Sequence, residues 1–233
     1  MYKTLVIISI FAIMSCGKTG EQHQSGQQGE IQKDCVKEVS FGDIDFCLPG
    51  IEGMTECYSS PKVKERADAF NYEGNSILGY YLNNETFQQM ENLDTISYDD
   101  YAQVYVTNNL KGIKVGQAEL DQMANTMGSD FIQENWSDMQ KKLEHSYDDL
   151  SIGTPVLVES YSPHSKVKSF VMLSKIKTNK EEAVMLMNLN IIEMKERLIW
   201  LAYYKFYEGE ESIKQAKSKN DHIIKRLMEV NKR

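Results

Sequence analysis

Little in this chain points to chemistry. Its 233 residues hold four histidines, four cysteines, four prolines and two tryptophans. The histidines (His23, His145, His164 and His222) form no HExxH and no facing pair on one helix, and no CxxC occurs, so zinc is not expected. No GxSxG elbow presents a serine nucleophile, and no glycine-rich loop could cradle a phosphate. The acidic pairs Asp99-Asp100 and Asp148-Asp149 do not alternate oxygen ligands around a glycine as a calcium loop does. No cofactor, metal or catalytic residue is therefore expected. Positive charge is also scarce: 26 Lys and Arg stand against 34 Asp and Glu, a net of −8. That balance argues against nucleic acid as a partner, because duplex binding needs a positive phosphate-facing surface. No segment reaches the roughly 20 apolar residues that cross a bilayer.

What is present is an ordinary globular composition, 41% hydrophobic and 26% charged. The length suits one large domain or two small ones. The N-terminus stands apart. Lys3 precedes an apolar stretch, Leu5–Met14, that fits the h-region of a secretory signal. Ile13-Met14-Ser15-Cys16 follows, and it resembles the lipobox of bacterial lipoproteins. The resemblance implies a signal peptide over 1–15, cleavage before Cys16 and acylation of that cysteine on sulfur and nitrogen. Two or more acyl chains hold a protein on a membrane stably. Gly17 after the cysteine implies, by the same resemblance, the outer membrane of a Gram-negative cell. Residues 17–34 hold four Gly, five Gln and a single large apolar side chain, Ile31. Such a segment buries too little to offset its ordering entropy and reads as a flexible tether, reaching about 23 Å as a random coil.

Residues 35–233 read as one α+β domain. Val36–Phe41 and Ile44–Leu48 flank Gly42-Asp43, a two-residue hairpin signal. Ser76–Leu82 and Ala102–Thr107 are further strands. A helical stretch runs from about Gln117 to Ser146 on the stripe Leu120, Ala124, Met127, Phe131, Met139 and Leu143, with Gly128-Ser129 as a break. Four strands follow, Pro155–Tyr161, Val167–Ile176, Ala183–Glu193 and Arg197–Tyr207, whose short connectors favour antiparallel neighbours. The last two are apolar on both faces and so need helices above and below the sheet. Leu198 and Trp200 are expected on one face, Ile199 and Leu201 on the other. A C-terminal helix, Glu210–Val230, should cover one of them through Ile223 and Leu227. The ten methionines left after signal removal fall largely on these core stripes, which favours gap filling over soft-metal capture.

The stretches FGDIDFCLPG (Phe41–Gly50), SILGYYLNN (Ser76–Asn84) and RLIWLAYYKFYEG (Arg197–Gly209) carry a resemblance to the PsbP-like fold, an antiparallel β-sheet sandwiched by helices. DcrB-type envelope lipoproteins and secretion-system accessory factors share that fold. The resemblance implies a non-catalytic binding or assembly module for an envelope protein or small ligand. An immunity-type lipoprotein that neutralises a toxin, and an enzyme with an unrecognised site, are the alternatives.

Candidate site residues are few. With Cys16 lipidated, Cys35, Cys47 and Cys57 would share an oxidising compartment, where pairing is expected. Strict alternation from the Gly42-Asp43 turn sets Cys35 on the face of Phe46 and Cys47 on the reverse face, opposite Glu38. That disfavours a Cys35–Cys47 bridge and places Cys57 in any disulfide, with Cys35 or Cys47. Residues 214–233 carry seven basic side chains against two acidic ones. Lys214, Lys217 and Lys219 are therefore a candidate face for anionic lipid or an acidic partner. The plainer reading is a solvated face complementing the helix dipole. Tyr98, Tyr101 and Tyr161, near expected loops, are candidates for a binding rim.

Overall fold

The computed structural model of the chain describes residues 34–89, 99–127, 150–178 and 182–232. The expected signal, lipobox and tether, save Asp34, thus lie outside the described residues, as do Phe131, Met139 and Leu143 of the expected central helix. The two strands β1 (Cys35–Phe41) and β2 (Ile44–Pro49) form the expected hairpin, with Gly42 at φ +68° in its turn. A Cβ on Gly42 would stand 2.5 Å from the carbonyl oxygen of Lys111, so only glycine meets both demands. This hairpin is a two-stranded sheet of its own.

Among the described residues the main sheet has eight strands. These are β3 (Met54–Glu56), β4 (Asn75–Asn83), β5 (Asp100–Thr107), β6 (Leu150–Ile152), β7 (Val156–His164), β8 (Val167–Thr178), β9 (Glu182–Met194) and β10 (Arg197–Phe206). Their spatial order is β3-β4-β5-β10-β9-β8-β6, and β7 also pairs with β8. Every pairing is antiparallel. The long β8–β9–β10 meander follows from its short connectors. Lys195 and Glu196, at φ 51° and 61°, make the two-residue turn between β9 and β10 without a glycine.

Helices α1 (Pro61–Ala69), α2 (Asn84–Gln89), α3 (Gln117–Met127) and α4 (Glu210–Val230) complete the described structure. The sheet separates two apolar layers, as the doubly apolar strands required. On one side α4 and the β1–β2 hairpin bury Phe46, Leu48, Ile199, Leu201, Ile223 and Leu227. On the other, α3 packs Leu120 against Phe170, Ile191 and Leu198, with Trp200 partly buried beside them. Further along this side α1 contributes Val63 and Ala67, one helical turn apart, against Ile77 and Leu82. The α+β class and the alternation of Leu198 and Trp200 with Ile199 and Leu201 are as expected. Short elements were not anticipated: β3, β6, α1 and α2 span three to nine residues, too few for a period to register.

The disulfide expectation is overturned. The bond joins Cys35 to Cys47, with Cα atoms 5.5 Å apart, and Cys57 is free. The cause is a β-bulge. Val39 faces Phe46 and Glu38 faces Cys47, as alternation requires, but the register slips between Cys35 and Lys37, so Cys35 pairs with Pro49. One extra residue reverses the facing of everything beyond it. Cys35 therefore crosses to the Cys47 face, within the Cα separation a disulfide needs.

Candidate functional site

Helix α4 carries the basic candidates, and its two flanks serve different neighbours. Ile223, Ile224 and Leu227 seat it on the sheet, and Glu210 and Glu211 complement the positive dipole of its first turn. Lys214 and Lys219 line an open groove of about 610 Å³ together with Glu52, Glu211 and His222. Lys214 pairs with Glu211 at 3.1 Å, and Lys219 donates to the carbonyl of Glu52 in the β2–β3 turn. Lys217 points to the other flank. It reaches both carboxylate oxygens of Glu159 on β7, at 2.6 and 2.7 Å, and lies 4.4 Å from the Tyr161 ring centre. The three lysines thus do not form one cationic face. Each already has an oxygen partner, and the groove is mixed in sign.

Tyr161 is no loop residue. It sits in β7, half-buried beneath α4, where its hydroxyl donates to Asp221 at 2.8 Å and accepts from Asn220 at 3.2 Å. Burial, with the Asp221 carboxylate as its acceptor, pushes its phenol pKa up. Tyr101 lies within β5, stacked between Tyr80 (5.5 Å) and Tyr204 (4.5 Å). Tyr105 and Trp200 stack alongside at 6.0 Å, and the Trp200 indole donates to Thr107 Oγ1. Burial raises the Tyr204 phenol to about 12. These rings occupy the sheet face between α1 and α3, and each cross-strand pair adds about 0.5–1.5 kcal/mol beyond its buried area. Tyr98 lies outside the described residues.

Cys57 is 2% exposed, and its thiol donates to the carbonyl of Tyr80. Burial pushes its pKa up to about 12, so it is protonated and unreactive at neutral pH. Among the described residues no three His, Cys, Asp or Glu side chains converge as metal ligands. His164 takes a bond from the Lys166 backbone, His222 lines the α4 groove, and His23 and His145 lie outside the described residues.

Two polar assemblies escaped sequence reasoning. Beneath α4, Asn190 accepts from Ser169 (2.6 Å) and donates to the carbonyl of Leu201 and to Asn220. Asn190 and Asn220 are fully buried, so this network fixes where α4 sits: a buried amide left unpaired costs about 1–3 kcal/mol. Its signal was in the sequence, as Asn188 and Asn190 interrupt an apolar strand two residues apart on one face. The second assembly ties the hairpin to the β9–β10 turn. Arg197, 4% exposed, bonds Asp43 at 2.5 Å and the carbonyl of Glu196 at 2.9 Å, while Lys195 donates to the carbonyl of Asp45. The Arg197 guanidinium holds the Asp43 carboxyl below its ordinary range. Asp43 and Arg197 are 154 residues apart in sequence and Asp45 and Lys195 are 150 apart, separations that no local pattern could pair.

No family model matches the chain, and no curated protein does. Among solved structures it resembles the Ran-binding protein Mog1p of Saccharomyces cerevisiae. The two are 10% identical, the match covers 84% of this chain and 91% of that one, and the TM-score is 0.33. A likeness at that score carries neither partner nor role to this chain.

Proposed function

We propose that this chain is an exported, lipid-anchored protein of the bacterial envelope whose PsbP-like domain serves as a non-catalytic binding or assembly module. The observation that carries the reading is the Cys35–Cys47 disulfide at the point where the tether joins the fold. Disulfides persist outside the reducing cytosol, so this bond and the lipobox at Cys16 point independently to export. Gly50 donates its amide to the Asp34 carbonyl at 2.9 Å, and Arg226 of α4 pairs with the Asp34 carboxylate at 3.1 Å. Asp34, the first described residue, is thus held by both the hairpin's exit and α4. A protein or small ligand of the envelope is the partner class this arrangement suits.

Metabolic labelling with a fatty-acid probe tests the anchor. The chain should take up label and sediment with membranes, and Cys16→Ser should abolish both. Label that persists in the Cys16→Ser chain would show that the lipobox reading is wrong.

A further inference from the structure

Among the described residues, strand β7 lies at an edge of the sheet that most folds conceal. Val156, Leu157 and Val158 are 64%, 36% and 45% exposed. Three consecutive apolar side chains cannot all face outward on a regular strand, which alternates. Here the register slips between Leu157 and Glu159, so Val158 is the extra residue of a bulge. On its inner side β7 pairs with β8. Among the described residues no strand takes its outer side, nor that of β6, which precedes it on the same flank of β8. An apolar strand with open backbone donors and acceptors is a template for another strand.

The charges beside this edge select the occupant. Glu159, on the α4 side of β7, is anchored by Lys217. The Gly153 amide donates to the carbonyl of Lys175 at 2.7 Å, which places Lys175 one strand inward from the segment leading into β7. Leu173 pairs with Val156, so Lys175, two residues on, points to the same side as Val156 and Glu159. Lys175 is exposed, and among the described residues it has no ion pair.

We propose that β7 pairs antiparallel with β7 of a second copy of this chain. An antiparallel pair of identical strands is two-fold symmetric, so each contact is made twice and the interface closes on itself. In the register that sets Leu157 opposite Leu157, Val156 meets Val158 of the second copy. Glu159 then falls opposite Pro155, beside Lys175 of the second copy, within reach of two long side chains. Like charges are not brought face to face, and all three apolar residues leave water. A lipid surface would have to accept the Glu159 carboxylate and Ser160 beside the apolar residues.

The test uses the full chain carrying Cys16→Ser, so that acyl chains cannot drive association. Sedimentation should show a reversible dimer in the micromolar range. Leu157→Cys should give a disulfide-linked dimer under mild oxidation, whereas Lys62→Cys, on the exposed face of α1, should not. Leu157→Glu should abolish the dimer at an unchanged melting temperature, and Val158→Lys should do the same if Leu157→Glu fails to fold. A monomer at every concentration, or a dimer that survives both charged variants, overturns the proposal. So does a monomer that binds anionic phospholipid vesicles through Leu157, which would assign the edge to lipid.

Discussion

Asp43 and Arg197 show how much one contact decides in this molecule. Asp43 lies in the turn of the first hairpin and is largely exposed, whereas the Arg197 side chain is 5% exposed. A buried guanidinium needs its carboxylate, because an uncompensated charge away from water is expensive. Arg197 lowers the Asp43 pKa from its ordinary value of 3.8. A depressed carboxyl pKa stabilises the fold at every pH above the unfolded value, and that contribution disappears as pH falls through the folded value. Asp43→Asn should therefore melt below the parent at neutral pH, and the two should converge below pH 3.8. A pH series of thermal melts checks this. A gap that stays constant into acid would assign the loss to geometry and not to charge.

Among elements, those whose side chains follow a period over two or more turns or pleats were legible in advance. β1, β2, β8, β9, β10 and α4 begin and end within a residue or two of where alternation and helical spacing put them. Pro163 lies inside β7, which was expected to stop at Tyr161, because an irregular register between Tyr161 and His164 accommodates it. Bulges are the recurrent blind spot: one residue of slip at Val36 decided which cysteines bond. That bond closes a loop with a sequence separation of 12, so removing it should cost about 2–4 kcal/mol. Urea unfolding of the Cys35→Ser, Cys47→Ser double variant measures the loss. In a parent carrying Cys16→Ser no thiol should react with iodoacetamide at neutral pH, since Cys35 and Cys47 are bonded and Cys57 is buried and protonated. If Cys35 or Cys47 alkylates there, the pairing is wrong.

The whole molecule depends on the β9–β10 hairpin, which contributes to both apolar layers. Leu201, fully buried, packs under α4, while Leu198 packs under α3 one pleat away. Leu201→Ala should cost about 2–5 kcal/mol, a large share of the roughly 5–15 kcal/mol available to a domain. An unchanged melting temperature for that variant would mean that the central hairpin does not hold the two layers together.

By itself the sequence determined the α+β class, the central two-faced hairpin and the helix that covers it, because periods of 2 and 3.6 are written locally. It also located the candidate anchor at Cys16, where a contiguous motif is the whole signal. Only the tertiary structure decided the disulfide, the separation of Lys217 from Lys214 and Lys219, the place of Tyr161 under α4, and the neighbours β5 and β10. Each of these depends on a register or a contact between residues distant in the chain. Such contacts are set by which faces meet when the layers close, and no local spacing encodes them.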